Sequence, residues 1–262
     1  MPDSSKPIAD VQSQRDQRHL AINKVGVRDI KHPLKVTLRD GSTQSSSGVF
    51  SMFVNLPHDQ KGTHMSRFVE LLNQDEVLID TRSFTQLLTS MNEKLEADSG
   101  YIDVAFDLFM EKAAPVSGAQ SLMDYQIKLQ GSNVDGTIKI SMSVLVPVTS
   151  LCPCSKKVAD YGAHNQRSHI TVTTPMNGEF AFEDIIEMVE AQSSSELYGI
   201  LKRTDEKYIT EHAYDNPKFV EDLIRDIAQE LSKTFKLTHF KVEAENFESI
   251  HNHSAYAVIE QP

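Results

Sequence analysis

The chain has 262 residues, enough for one large domain or two small ones with a substantial core. Its formal net charge of −11 argues against a general nucleic-acid-binding protein, because there is no basic excess to neutralise a phosphate backbone. No apolar run approaches the ~18 residues of a membrane span, and the polar N-terminus predicts neither a signal peptide nor an anchor. The two cysteines, Cys152 and Cys154, are too close for a disulfide framework, so we expect a cytoplasmic protein.

The N-terminal part of the chain predicts a tail followed by a β-hairpin. Residues 1 to about 20 are polar and lack periodicity, which predicts a flexible tail before a single domain over residues 21–262. Strands are predicted at 34–38 and 49–56, and a Gly/Ser-rich turn over 41–48 separates them.

Helical and then alternating patterns follow. A short helix is predicted at 65–72, and apolar residues at helical spacing predict a second one over 84–95. Three stretches of alternating polarity are typical of antiparallel strands with one buried face: 102–110, 125–129 and 138–146. Pro147 and the Cys-Pro-Cys turn are expected to end this block.

The second half of the chain repeats this order. It predicts a strand at 169–174, a helix around 182–189, a polar connection, a helix from about Pro217 to Phe235 with Pro217 in its first turn, and strands at 240–244 and 255–259. The sequence therefore predicts an α+β fold with an approximate internal duplication, about 30–150 and 165–262. Helices would cover one face of an antiparallel sheet that could join other sheets into a barrel.

The segment from Ser150 to Lys157 carries metal-binding residue types. Thiolate and imidazole are preferred ligands of zinc and related metals, and His164 follows Cys152 by twelve residues. Because two cysteines cannot form a four-thiolate structural site, a metal here would recruit His or Glu from elsewhere, which suits a catalytic site. The same residues also fit a cysteine buried at a strand end beside a surface histidine.

Two further clusters contain candidate functional residues. His251 and His253 are two residues apart and would point to the same side of an extended chain, although a polar hairpin turn fits this segment equally. The mixed charges from Lys202 onward fit a solvated surface. Glu221 differs, because it lies in the first turn of an amphipathic helix at the edge of the apolar stripe, where a carboxylate stays ionised and can bind a ligand.

Taken together, these clusters resemble GTP cyclohydrolase I of the bacterial type IB family. The matching stretches are GTHMSRFVELL (62–72), SLCPCSK (150–156), YGAHNQRS (161–168), KRTDEKYITEHAYDNPKFVED (202–222) and ENFESIHNHSAYA (245–257). They are spread over nearly the whole chain beyond the N-terminal tail. The resemblance implies a tunnelling fold (T-fold) of duplicated strand–strand–helix–helix–strand–strand units assembling into a barrel, and a homotetramer with active sites at subunit interfaces.

The resemblance also implies a reaction and the residues that perform it. GTP would be hydrolysed to 7,8-dihydroneopterin triphosphate and formate, the first step of tetrahydrofolate biosynthesis. A divalent metal would take part, with manganese favoured and zinc or iron possible. The implied metal ligands are Cys152, His164, Glu206 and His251. Glu221 would bind the N1 and 2-amino edge of guanine, and His164 or His253 would transfer protons as the ring opens.

The triphosphate of GTP needs cationic partners. The candidates within the matching motifs are Lys156, Arg167 and Arg203, together with Lys157 and Lys202, although solvated surface also fits each of them. Cys152 is the residue on which activity is expected to depend most, as metal ligand and part of the catalytic machinery. No role is assigned to Cys154.

Three alternatives are compatible with the sequence. A nitrile reductase with a cysteine nucleophile and a nicotinamide cofactor also has the T-fold, and Cys152 could be that nucleophile. A purine- or pterin-binding oligomer without turnover is the second, although it would not need a full set of metal-ligand types. The third is a thiol switch built on Cys-Pro-Cys, which leaves the histidine and glutamate clusters unexplained.

Overall fold

The computed structural model describes residue 12 and residues 14–261. The helices and strands of this part of the chain follow one another in the order β1 (Ile22–Thr37), β2 (Thr43–Leu56), α1 (Met65–Gln74), β3 (Leu78–Ile79), α2 (Thr81–Leu95), β4 (Ser99–Ala113), β5 (Gln120–Val134), β6 (Thr137–Leu151), α3 (Pro153–Val158), β7 (Asn165–Pro175), α4 (Phe182–Gln192), α5 (Arg203–Asp215), α6 (Val220–Lys233), β8 (Phe240–Asn246) and β9 (Ala255–Gln261).

The strands belong to one sheet with the order β3-β1-β2-β4-β5-β6-β7-β8-β9. The last four strands are antiparallel neighbours in chain order, and their register places Ser150 opposite Gln166 and Ser168 opposite Asn246. This architecture confirms the predicted α+β class. Among the described residues, no helix has both the length and the apolar composition needed to cross a bilayer.

The chain divides into two compact units. The first contains the described residues up to Lys35 together with Ser47–Val104 and Gln130–Ile140, and within it α1 packs against α2. Its interior is mostly apolar, because the buried side of each amphipathic helix carries large side chains, among them Phe68 and Phe84, which are fully buried.

The second unit holds all the predicted site residues. It consists of Val36–Ser46, Ala105–Leu129 and the chain from Ser141 onward, and it includes helices α3 to α6. Within it α6 packs against α4, β8 and β9. Leu223 and Ile227 on α6 are fully buried, as their helical spacing predicts. The single domain and its duplication at about 30–150 and 165–262 stay predictions.

Most strands extend further than the alternating patterns predict. β1 begins at Ile22 rather than at Leu34, because its first half is exposed or half-buried on both faces and so carries no hydrophobic alternation. β2 begins at Thr43, inside the predicted turn. Of the predicted tail, residues 1–11 and 13 lie outside the described residues, whereas the amide of Asp16 donates to the carbonyl of Asp59 at 2.9 Å.

The prediction that Pro147 ends β6 is wrong. Pro147 lies opposite His169 within the β6–β7 ladder, and the strand continues to Leu151. Val146 and Val148 on either side are fully buried, so burial of alternating side chains keeps the strand extended. The predicted Cys-Pro-Cys turn is the beginning of α3, where Pro153 occupies the first helical position.

The polar connection predicted after α4 contains a helix, α5. Only Asp205 and Ala213 are buried on it, so it has no apolar stripe that periodicity could detect. Its exposed face carries an ion pair between Lys207 and Glu211 at 2.6 Å, one turn apart.

The long helix α6 begins later than predicted. The amide of Lys218 donates to the carbonyl of Leu151 at 3.0 Å, which holds this stretch extended, and Phe219 is the N-cap with φ −69° and ψ 156°. Pro217 therefore lies outside the helix. Phe219, predicted as part of the buried stripe, is 41 % exposed because it lies before the first helical turn.

A buried polar cluster joins the sheet to α4 in the second unit. The ammonium of Lys112 on β4 is 2.8 Å from Glu190 on α4 and 2.6 Å from Glu196. The hydroxyl of Tyr125 on β5 donates to the second oxygen of Glu190 at 2.7 Å. Burial raises the pKa of Glu190, and the Lys112 ammonium opposes that rise. Lys112 and Tyr125 thus both favour the charged form of Glu190 against the cost of burying it.

Replacing Lys112 with Met should lower the free energy of unfolding by about 3–5 kcal/mol, because Glu190 would be left buried without its countercharge. The matched control is Lys139→Met on β6, where the lysine is exposed and the change should stay within about 0.5 kcal/mol. Urea unfolding at one fixed protein concentration measures both. Equal stability of the two variants would contradict this role of Lys112.

Candidate active site

Cys152 and His164 are neighbours at the paired ends of β6 and β7. The last cross-strand pair is Leu151 with Asn165, and the amide of Cys152 then donates to the carbonyl of His164 at 3.1 Å. Both side chains are half-buried. The register of two strands therefore brings together residues that are twelve positions apart in the sequence.

Ser155 fixes the backbone around this pair. Its amide N–H points at the sulfur of Cys152 at 3.5 Å, and its hydroxyl donates to the Cys152 carbonyl at 3.1 Å. The same hydroxyl oxygen accepts the amide N–H of His164 at 3.2 Å. Cys154, two residues after Cys152, is exposed. The structure thus separates the two thiols by environment, with Cys152 at the β6–β7 end and Cys154 in solvent.

The imidazole of His164 contacts two side chains that the sequence did not single out as partners. Its Nδ1 is 2.8 Å from Oε1 of Gln166 and 3.8 Å from Oε2 of Glu248. The His164 and Glu248 side chains are 12 % and 14 % exposed. A carboxylate and an amide oxygen therefore lie on the same side of the ring.

Gln166 begins a chain of buried hydrogen bonds that crosses β6, β7 and β8. Its amide nitrogen donates to the hydroxyl of Ser150 at 3.1 Å, which is 2.8 Å from the hydroxyl of Ser168. Ser168 in turn donates to Oδ1 of Asn246 at 2.7 Å. Gln166, Ser150, Ser168 and Asn246 are at most 7 % exposed, so these groups have little access to solvent.

Glu206 lies on the exposed side of the first turn of α5. Asp205 beside it points inward and accepts the amides of Val116 and Ser117 at 2.9 and 2.8 Å. It also accepts the amide of the N-cap Lys202 at 2.7 Å. Burial opposes ionisation of Asp205, but these hydrogen bonds outweigh it and hold its pKa well below the usual value. Asp205 therefore anchors the turn that presents Glu206.

His251 and His253 lie in the loop between β8 and β9. Their rings are stacked with centroids 5.1 Å apart and an angle of 20° between the planes, and both side chains are exposed. The start of this loop is fixed, because the amide of Phe247 donates to the carbonyl of Arg167 at 3.0 Å. The prediction that the two histidines share one side of the chain agrees with this stacking.

Glu221 is in the first turn of α6, as predicted, and its side chain is exposed. Asp222 is also exposed and lies 3.7 Å from Arg225 one turn along the helix. Glu221 makes no hydrogen bond or ion pair with another side chain of the described residues, so its carboxylate is available to a ligand.

The predicted phosphate-binding cations lie in different environments. The ammonium of Lys156 donates to the carbonyl of Tyr214 and is 4.0 Å from the centre of its ring. Arg203 is exposed at the first position of α5, near Glu206 in the same turn. Lys157 and Lys202 are exposed as well.

Arg167 points away from the His164 contacts. Successive side chains of a strand alternate between faces, and Gln166 and Ser168 on either side of Arg167 are buried. Arg167 instead lines a cavity of about 330 Å³ together with His169 and Tyr198. Burial, and then the charge of Arg167, lower the pKa of His169. The structure therefore does not place Arg167 beside Cys152 and His164.

The four predicted metal ligands do not converge within this chain. Among the residues that the structure describes, no three His, Cys, Asp or Glu side chains form a group that could hold a metal ion. Cys152 and His164 lie together, whereas Glu206 and His251 are on the surface. A thiolate, two imidazoles and a carboxylate are nevertheless a donor set that Mn, Fe and Zn accept. The donor chemistry fits a divalent metal, and the ligand set stays a prediction.

The family model described as Type I GTP cyclohydrolase folE2 matches residues 8–257. The chain belongs to this family. The resemblance drawn from the motifs is therefore confirmed, and it extends over almost the full length of the chain.

Relatives in the GTP cyclohydrolase family align with the whole chain. The protein named GTP cyclohydrolase FolE2 from Nitrosococcus oceani is 56 % identical, and the alignment covers 100 % of this chain and 98 % of the relative. The protein of the same name from Methylobacillus flagellatus is also 56 % identical, over 98 % of this chain and 97 % of the relative.

Solved structures of urate oxidases share the fold. Uricase from Arthrobacter globiformis has a TM-score of 0.53 at 8 % identity, covering 91 % of this chain and 93 % of that chain. Urate oxidase from Bacillus sp. TB-90 has a TM-score of 0.50 at 11 % identity, covering 92 % and 100 %. Urate oxidase is a T-fold protein, so the predicted T-fold is confirmed, and at these identities the likeness concerns the fold alone.

Sequence reasoning assigned no role to Gln166, Ser150 or Ser168. The sequence did indicate that these side chains are buried. Gln166 and Ser168 occupy the same alternate positions of the strand as Ile170 and Val172, which are fully buried. Polar residues at core positions of a strand need hydrogen-bond partners. The sequence could thus have indicated a buried polar chain at this end of β7, although not which groups it joins.

Proposed function

We propose that this protein is GTP cyclohydrolase I, which hydrolyses GTP to 7,8-dihydroneopterin triphosphate and formate in the first step of tetrahydrofolate biosynthesis. The observation that carries this function is the family match over residues 8–257, together with relatives named GTP cyclohydrolase FolE2 that are 56 % identical over 98 % and 97 % of their length. It favours this reaction over the nitrile reductase, the non-catalytic binder and the thiol switch. A cytoplasmic location is part of the proposal and agrees with two free cysteines.

The proposed metal ligands are Cys152, His164, Glu206 and His251, with manganese favoured over zinc or iron. Support comes from the adjacency of Cys152 and His164 and from the exposure of the other two side chains, which leaves them free to bind. When bound, a divalent metal supplies the Lewis acidity that activates a water molecule near neutral pH.

Of the two histidines proposed for proton transfer, His253 is the better suited. If Nδ1 of His164 contacts Gln166 and its Nε2 binds the metal, neither ring nitrogen of His164 is available to transfer a proton. His253 is exposed and stacks on His251, so it can reach a substrate held beside the metal ligands. His253 would then protonate the nitrogen that leaves as the imidazole ring of GTP opens.

The proposed substrate contacts are Glu221 for guanine and cations for the triphosphate. An exposed carboxylate without a partner can accept two hydrogen bonds from the N1 and 2-amino groups of guanine. Arg203 is the best placed of the cations, because it shares the first turn of α5 with Glu206. Lys156 would have to leave the Tyr214 carbonyl to bind phosphate, and Arg167 faces the opposite side of β7 from Gln166.

We also propose a homotetramer with active sites between subunits. Because the chain presents Glu206 and His251 on its surface, a second copy can bring these donors to the Cys152–His164 pair. β9 is the last strand in the sheet order and carries the exposed side chains Tyr256 and Val258, so it is an edge that another chain can cover.

Chelator-stripped protein given GTP should release formate and fluorescent pterin only after Mn²⁺ or Zn²⁺ is restored. Cys152→Ala should reduce this turnover by at least about 100-fold, because loss of a metal ligand should exceed the 10–100-fold cost of losing an outer-shell partner. Cys154→Ala is the matched control, since that thiol is exposed, and it should keep near-normal activity. Absence of turnover with any metal, in folded protein, would overturn the proposed function.

Glu221→Gln should lower kcat/KM for GTP by about 10–100-fold, mainly through KM, because a charged acceptor contributes about 1.5–3 kcal/mol per hydrogen bond. Asp222→Asn removes the same charge from the next residue of the same helical turn and should leave KM within about twofold of wild type. Steady-state kinetics of both variants test the assignment. Equal effects would indicate a general electrostatic role and not recognition of guanine.

The mass of the particle in solution tests the oligomer. Light scattering on size-exclusion chromatography should give four copies of the chain, and Tyr256→Asp on β9 should shift the particle toward smaller species because it adds a charge to the edge strand. Glu260→Asp at another exposed β9 position is the control and should leave the tetramer intact. A monomer with full activity would contradict interfacial sites.

A further inference from the structure

The hydrogen-bond chain behind His164 has a direction that determines where the imidazole carries its proton. Ser168 donates its only hydroxyl proton to Asn246, so the short contact between Ser168 and Ser150 must use the proton of Ser150. Ser150 can then only accept from Gln166, which it does from the amide nitrogen at 3.1 Å. The amide oxygen of Gln166 is therefore the atom that faces His164.

An amide oxygen can only accept a hydrogen bond, so Nδ1 of His164 must carry the proton at this 2.8 Å contact. Glu248 does not replace it, because a separation of 3.8 Å from Nδ1 is too long for a hydrogen bond. In a neutral imidazole the other nitrogen, Nε2, then holds a free lone pair. That is the form of histidine that binds a metal.

We propose that Gln166 is a positioning residue that holds His164 with its proton on Nδ1, so that Nε2 is presented as a metal ligand. The inference rests on the proposed metal site and assigns it an outer-shell partner. If the hydrogen bonds from Gln166 to Asn246 ran in the reverse direction, Gln166 would donate to Nδ1 of His164 and the imidazole proton would be on Nε2. Neither ring nitrogen could then bind a metal.

Burial makes this arrangement stable. Gln166 is 7 % exposed and Ser150 and Ser168 are fully buried, so turning the Gln166 amide alone would leave donors or acceptors unsatisfied where water has little access, and reversing all of these hydrogen bonds would also require the Asn246 amide to turn. The three residues lie on β6 and β7, whose pairing also brings Cys152 to His164. One strand register therefore sets the position of the imidazole, its proton and its neighbouring thiol together.

Two variants separate the hydrogen bond from the volume of the side chain. Gln166→Met keeps the size but removes the acceptor, and it should weaken Co²⁺ or Mn²⁺ binding about 10–100-fold. Gln166→Glu keeps an acceptor oxygen facing Nδ1 but loses the donor to Ser150, so its metal affinity should lie between those of Gln166→Met and wild type. Val172→Ala, on the same face of β7, controls for lost stability, because Val172 is fully buried and lies opposite Val144 and Val242, four residues along the strand from Ser168.

The experiment is metal titration of the full-length, chelator-stripped protein, followed by the Co²⁺ absorption spectrum and by circular dichroism to verify folding. Nitrogen-15 NMR of histidine-labelled, metal-free protein reads the proton position directly, with His164→Gln to assign the signal. We expect the proton on Nδ1 in wild type and a shift toward Nε2 in Gln166→Met.

Three results would overturn the inference: a proton on Nε2 in wild type, equal metal affinity and spectrum in wild type and Gln166→Met, or an equal loss of affinity in Val172→Ala. If the wild-type protein binds no metal, the proposed metal site itself is wrong. GTP turnover by wild type, measured separately, distinguishes failure of the proposed reaction from failure of the role given to Gln166.

Discussion

The antiparallel pairing of β6 with β7 is the constraint on which the candidate site depends. Its register ends with Leu151 opposite Asn165, and the next backbone hydrogen bond joins Cys152 to His164. A slip of one residue would turn every side chain of β7 to the other face of the sheet. It would bury Arg167 and His169 and expose Gln166 and Ser168, so hydrophobic burial and site geometry are set by the same register.

Polar groups in the interior of the second unit are paired with specific partners. Lys112 neutralises Glu190 beside α4, and the hydroxyls of Ser150 and Ser168 complete a chain from Gln166 to Asn246. Buried polar groups are costly when a partner is lost, so such chains restrict the protein to one arrangement. At the end of β6 and β7 this restriction falls on a proposed metal ligand, where orientation matters most.

The surface elements contribute residues of a different kind. α5 and the β8–β9 loop present Glu206 and His251 on the surface, and α6 presents Glu221. Their backbones are nevertheless fixed, by the buried carboxylate of Asp205 at the start of α5 and by the bond from Phe247 to Arg167 before the loop. Exposed donors on fixed backbones are what the proposed site between subunits would require.

The sequence by itself determined the elements with strong periodicity and the family. Helices α1, α2 and α4 and the cores of the long strands follow from apolar spacing, because burial of one face imposes that spacing. It missed α5, which has no apolar stripe, and it misjudged Pro147, where burial of Val146 and Val148 outweighs the missing N–H. Local periodicity carries no signal for a helix that is fixed by hydrogen bonds from the amides of a distant turn to its Asp205.

Only the tertiary structure decided which motif residues meet. Cys152 and His164 come together through cross-strand pairing, whereas Arg167, three residues after His164, faces the other side of the sheet. The partner of His164 is Gln166, two residues away along an extended strand, and the chain from Gln166 reaches Asn246 on a third strand. Such contacts depend on register between segments far apart in sequence, and the pattern of a single segment carries no information about register.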